Sequence, residues 1–220
     1  MTAVLHAHDL YCFFHVGDDE TLALQGVSLD VDAGELVAVT GPSGSGKSTL
    51  LSCLAGLDDP DGGTVLIGGE RISRRSEEQR AEIRGRRIGT LYQHSNLVGH
   101  LTVRQNVALA QRLTRPASAM SANDVLEECG IGHRARARPA QLSGGELVRA
   151  GLAVALANDP DVILADEPTG ELDSVTAVRV LDLLRQRAGA GAAILVVTHS
   201  PDVAAAADRE IRLRDGHVIA

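Results

Sequence analysis

The stretch richest in chemistry is Gly41-Pro42-Ser43-Gly44-Ser45-Gly46-Lys47-Ser48. It fits G-x-x-x-x-G-K-[ST], the pattern of a phosphate-binding loop. Glycines let the backbone bend so that successive N–H groups converge on phosphate oxygens. The start of the next helix adds partial positive charge. Lys47 is expected between the β- and γ-phosphates, and Ser48 is expected to hold Mg²⁺ through its hydroxyl, with Thr49 next in the same turn. Lys47 is also the only lysine; every other member of the 21 Lys and Arg is an arginine. A compact ammonium suits a phosphate cradle where a planar guanidinium does not.

Three more polar positions sit at the ends of apolar, strand-like runs. Val162-Ile163-Leu164-Ala165 ends in Asp166 and Glu167. A carboxylate at the carboxyl end of a central parallel strand lies beside the loop of a neighbouring strand. Asp166 is therefore expected in the Mg²⁺ shell, and Glu167 beside a water that it orients or deprotonates for in-line attack. Ile88 to Tyr92 ends in Gln93, whose amide oxygen can reach Mg²⁺ or that water. Ala193 to Thr198 ends in His199, expected at the same sheet edge as Asp166 and Gly41. A second anion-binding helix start is read in Ser143-Gly144-Gly145-Glu146. One nucleotide does not need two such sites from one subunit. Two subunits packed head to tail do, each completing the other's pocket.

These residues need a scaffold of alternating strands and helices, an α/β fold with a mainly parallel sheet. Residues 3–14 and 24–31 read as strands, with a turn over 17–20, and suggest an antiparallel region ahead of the phosphate loop. Ser76 and Gln79 have capping-box spacing. The helix they open carries Arg80, Arg84, Arg86 and Arg87, read as a solvated face. Val103, Val107 and Ala110 recur at helical spacing, and Ser121 caps a short helix that stops at Gly130. A helical subdomain is expected over about 95–150 within one domain spanning 1–220.

Composition limits the function classes. At 220 residues the chain suits one domain, and 44% hydrophobic with 23% charged residues is an ordinary globular balance. A net charge of −8 argues against a general nucleic-acid binder, and no nucleic-acid partner is expected. No apolar run reaches the roughly 18–20 residues that span a bilayer, and no signal peptide is read at the N-terminus. Cys12, Cys53 and Cys129 lack metal spacing and read as reduced thiols. The remaining histidines, such as His6, His8, His94 and His133, read as surface.

The order of Gly41–Ser48, Gln93, Leu142–Glu146, Asp166-Glu167, Glu171-Leu172-Asp173 and His199 resembles an ABC-transporter ATPase subunit along essentially the whole chain. The resemblance implies a P-loop NTPase core with an antiparallel β subdomain and a helical subdomain, and ATP and Mg²⁺ as cofactors. It gives His199 a γ-phosphate contact and Asp173 a place in a loop that communicates across the dimer. Phe14 looks like the aromatic that stacks on adenine, with Tyr11 and Phe13 as rivals. Implied partners are a second copy of the chain, bound head to tail through ATP, and a separate permease docked around Gln93 to His100. The chain would then lie in the cytoplasm, peripheral to the inner face of the cell membrane. Leu101 to Val107, Pro168-Thr169-Gly170 and Leu213 to Gly216 are similar to the subgroup serving lipoprotein-release, macrolide-export and cell-division permeases. Within that subgroup an exporter or lipoprotein-extrusion drive is expected, with a mechanical, non-transporting ATPase as the alternative. Leu147-Val148 after the signature, Leu91-Tyr92 before Gln93, and Glu171 depart from the usual pattern.

Overall fold

The computed structural model describes residues 3–16, 19–93, 96–114, 120–170 and 172–219, with the side chains of 14–16, 19 and 20 outside the description. Four expectations fall outside the described residues or side chains: Phe14 on adenine, the turn over 17–20, His94 at the surface, and Glu171.

Two sheets organise the chain. β1 (Ala3–Val16) and β2 (Asp19–Asp32) form a long antiparallel pair that continues into β4 (Gly62–Ile67) and β5 (Glu70–Arg71), in the order β2-β1-β4-β5. The second sheet runs β10-β9-β3-β8-β7-β6. Its members are β3 (Leu36–Thr40), β6 (Ile88–Leu91), β7 (Val162–Asp166), β8 (Ala193–Val197), β9 (Arg209–Arg214) and β10 (His217–Val218). β9, β3, β8, β7 and β6 are parallel, and only β10 turns back, in a hairpin at Asp215-Gly216. The β1–β2 pair is longer than the expected strands. Its ladder runs from Ala3 opposite Asp32 to Val16 opposite Asp19, so backbone pairing extends past the alternating side chains.

β3, β6, β7 and β8 are buried on both faces, as their unbroken apolar runs require, whereas β9 alternates buried Ile211 and Leu213 with exposed arginines. Val37, Val39, Leu195, Val197, Val162 and Leu164 face one core with α1 (Lys47–Leu54) and the antiparallel sheet. Leu36, Ile194, Val196, Ile163 and Ala165 face the other. That second core holds side chains from α3 (Val103–Thr114), α4 (Ala122–Glu128), α5 (Gly144–Ala155) and α6 (Ser174–Gly189). The period-two alternation of each strand divides its side chains between the two cores. A short α7 (Pro201–Ala206) follows β8.

α2 (Glu77–Arg87) starts at the expected capping box: Gln79 N donates to Ser76 Oγ (3.4 Å), and Ser76 N donates to Gln79 Oε1 (3.2 Å). Arg86 is half exposed, as a solvated face requires, but the other three arginines correct that expectation. Arg80 and Arg84 pair with Glu77, and Arg87 reaches both Glu70 and Asp161. Arg84 also donates to Gly56 O at 2.9 Å, so these stems lie on the protein with their charge spent internally. α5 begins at Gly144, because Ser143 and Glu146 form a reciprocal capping box that draws both glycines into the first turn. Ser121 caps α4 as expected, and Gly130 beyond it takes a φ of +63°.

Candidate functional site

The parallel register gathers the candidate side chains. Val39 and Asp166 both stand opposite Val197, and Leu91 stands opposite Ala165, so β3, β8, β7 and β6 end at one edge. The loop after β3 carries Gly41 to Ser48, the residue after β7 is Glu167, and Gln93 and His199 follow β6 and β8. A cavity of about 840 Å³ opens there. Ser43, Gly44, Gly46, Lys47, Ser48 and Thr49 line one side of it. Gln93, Asp166, Glu167 and His199 line another, and Thr21 to Ala23, Gln25 and Asp215 close a third.

The phosphate loop holds its shape through glycine. Gly41 has φ +151°, and a Cβ there would sit 2.1 Å from Leu213 O on β9. Gly46 has φ +100°, and a Cβ would sit 2.4 Å from Ala23 O on β2. Lys47 is buried and folds back on the loop, donating to Gly41 O (2.8 Å) and Pro42 O (2.9 Å). Ser45 is buried beneath it, with Oγ 3.5 Å from Nζ. Gly41, Pro42 and Ser45 do not line the cavity; they hold the loop through their contacts with Lys47. Burial lowers the Lys47 amine from its ordinary value, against the opposing pull of Glu167 and Asp166.

Opposite the loop, burial raises the Asp166 carboxyl above its usual range, and the neighbouring Glu167 adds to the effect; Lys47 and His199 pull it back. Glu167 takes the left-handed conformation, φ +46°, at a cost of roughly 1–3 kcal/mol. Its N–H donates to Val197 O at 2.9 Å, which ties the turn after β7 to the end of β8. Glu167 Oε2 accepts from Thr198 Oγ1 at 3.1 Å, while Oε1 is buried without a hydrogen bond among the described residues. His199 Nε2 lies 3.8 Å from that free oxygen. Asn96 grips the peptide ahead of Gln93: Tyr92 N donates to its Oδ1 (2.8 Å), and its Nδ2 donates to Tyr92 O (2.5 Å).

Two expected groups lie outside this cavity. Ser143 to Glu146 start α5 elsewhere on the chain. There Ser143 N donates to Glu146 Oε2 at 2.9 Å and, with Arg134 and His133, holds that carboxyl below its ordinary value. Asp173 is the N-cap of α6, accepting from Thr176 N (3.0 Å) and Thr176 Oγ1 (2.7 Å). The two groups are neighbours, since a Cβ on Gly145 would sit 2.6 Å from Thr176 Cγ2. Of the adenine rivals, Tyr11 lies over Gly26 and Gly62, and Phe13 is tied by its N–H to Asp61 (2.8 Å). Neither lines the cavity.

The oxygens around the cavity fit a hard cation: the Ser48 hydroxyl, the Asp166 carboxylate, the Gln93 amide and the unpartnered Glu167 Oε1. No group of three or more His, Cys, Asp or Glu among the described residues can hold a metal by itself. Mg²⁺ commonly relies on substrate phosphates to complete its shell. Sequence reading missed Thr198 and Asn96. Their types carry no motif, and only their partners give them a role. The three cysteines are buried and free, and burial pushes the Cys129 thiol up to about 12. No described helix is long and apolar enough to cross a membrane.

Comparison with known proteins agrees with this geometry. Residues 24–170 match a family model described as ABC transporter. The lipoprotein-releasing system ATP-binding protein LolD of Pseudomonas fluorescens is 40% identical over 99% of this chain and 98% of its own. The macrolide export ATP-binding/permease protein MacB of Escherichia coli K12 is also 40% identical, over the whole of this chain but 34% of its own length. The chain thus spans about a third of the MacB relatives. A dimeric ATP-binding cassette solved with ADP and Pi in a post-hydrolysis state superposes with a TM-score of 0.91 at 36% identity. That superposition covers 98% of this chain and 97% of the solved one.

Proposed function

The chain belongs to the ABC transporter family as an ATP-binding ATPase cassette, and from that premise we propose that two copies, joined head to tail by ATP, drive a separate membrane permease at the inner face of a membrane. The observation that carries the reading is a split. Phosphate loop, carboxylates, Gln93 and His199 share one cavity, while the Ser143–Glu146 helix start lies outside it. A capped helix start with exposed Ser143 and Gly144 is suited to the phosphates of a nucleotide held by another copy. The solved neighbour with ADP and Pi is itself dimeric.

In this reading the loop N–H groups and Lys47 hold the β- and γ-phosphates. Lys47 leaves the carbonyls of Gly41 and Pro42 to do so. Ser48, Asp166 and Gln93 would hold Mg²⁺, which neutralises charge on the phosphate oxygens when bound. Glu167 sits where a water can lie in line with the γ-phosphorus. Oε1 accepts the water's proton as the water oxygen bonds to phosphorus and the bond to the β-bridging oxygen breaks, leaving ADP and phosphate. His199 hydrogen-bonds the γ-phosphate. Hydrolysis removes the group that joins the copies, and they part. The surface around Gln93 to His100 would receive the permease, so that nucleotide state reaches the membrane through Gln93.

The test is Glu167→Gln. The variant is expected to bind ATP, lose hydrolysis by at least about 100-fold, and run as a dimer on size exclusion with Mg-ATP. Full activity, or a strictly monomeric ATP-loaded form at high concentration, would sink the reading.

A further inference from the structure

Thr198 closes the apolar run of β8 and is fully buried, with its N–H on Val39 O of β3 at 3.0 Å. Its hydroxyl has one proton to give. Ser200 N donates to that oxygen at 3.0 Å, so the hydroxyl proton is directed to Glu167 Oε2, 3.1 Å away. Glu167 is thus tied to the end of β8 twice, by its backbone N–H to Val197 O at 2.9 Å and by one carboxylate oxygen. The other oxygen, Oε1, is left without a partner among the described residues. A carboxylate held at one oxygen and at its backbone has little rotational freedom. Its free oxygen is fixed before any water arrives, which is the kind of pre-paid ordering that raises rate rather than affinity.

We infer that Thr198 is a positioning residue for hydrolysis: its hydroxyl clamps Glu167 Oε2 so that Oε1 is presented to the attacking water. The inference rests on Glu167 acting on that water. The clamp also joins the base to the strand end that bears His199. A shift at the end of β8 would therefore move both groups that meet the γ-phosphate.

Steady-state hydrolysis by the full chain tests it. Thr198→Val keeps the shape of threonine and removes the donor. It is expected to lower kcat about tenfold or more with KM within about twofold, and to accumulate ATP-bound dimer as Glu167→Gln does. Thr198→Ser restores the donor and is expected to bring kcat back to within about threefold of the parent. In a Glu167→Gln background, Thr198→Val is expected to cost nothing further, because the clamp has no base left to position. A Thr198→Val enzyme within twofold of the parent, beside an inactive Glu167→Gln, overturns the inference while the parent reading stands. Failure of serine to rescue, or losses that multiply in the double variant, overturns it equally. Full activity of Glu167→Gln overturns the parent reading and this inference with it.

Discussion

Asp166 and Glu167 are adjacent, yet their surroundings differ. Asp166 ends β7 in regular extended backbone, and burial together with Glu167 holds its carboxyl above the usual range. Ionised Asp166 therefore costs stability once pH has risen through the window between its ordinary value and the raised one. Below about 3.8 it is protonated in both folded and unfolded chains and costs nothing. Asp166→Asn is expected to raise the Tm of the nucleotide-free protein at pH 7 by roughly 2–4 °C, with the gain fading in acid. A thermal melt series across pH checks this, and an unchanged or lowered Tm at pH 7 would contradict it. The same variant should lose Mg²⁺-dependent hydrolysis. Strain at Glu167 follows a similar pattern, in which an unfavourable local state is held by neighbours for what it does to a ligand.

Among the elements, the stretch between β6 and α3 is gripped at its start by Asn96 and pinned at its end by the buried Asn106. Asn106 is 4% exposed; its Oδ1 accepts from Val98 N at 2.7 Å, and its Nδ2 donates to Thr102 O at 3.0 Å. This residue fixes the loop onto α3. Asn106→Leu keeps the volume but strands those polar groups. The expected loss is about 2–3 kcal/mol, on the order of 5–10 °C in Tm. ATP affinity should not change, which a fluorescent nucleotide titration would measure. α5 and α6 show a related economy: the capping box at Ser143 and the Asp173 cap face each other across Gly145 and Thr176.

At the scale of the whole molecule, the shared-pocket reading makes a prediction that one chain cannot satisfy. Lys47→Ala destroys a chain's own phosphate loop. Gly144→Glu leaves its own fold room, since a Cβ at Gly144 meets nothing within 4 Å, but places an anion where the partner's phosphates would lie. Each variant alone gives a dimer with two broken pockets and is expected to be inactive. A mixed dimer regains one intact pocket, from Lys47 of one chain and Gly144 of the other. An equal mixture should recover roughly a quarter of the parent activity, because half the dimers are mixed and each has one of two sites. No recovery on mixing would exclude the head-to-tail arrangement.

The sequence by itself determined what depends on local order. The phosphate loop, the capping box at Ser76, the stop at Gly130, the hairpin at Asp215-Gly216 and the apolar strands each lie in a few consecutive residues whose types set backbone geometry or hydrogen bonding directly. The family resemblance came from the same source, since ordered motifs survive without any contact being known. What only the tertiary structure decided depends on distance across the chain. β3, β8, β7 and β6 had to align in parallel before Lys47, Glu167, Gln93 and His199 could share a cavity. The left-handed turn at Glu167 and the threonine that clamps it exist only because β7 and β8 are neighbours. Asn106 and the α2 arginines likewise acquire roles through partners that no spacing reveals. The physical reason is that a residue's type limits which bonds it can make, while the fold selects the partner that makes them.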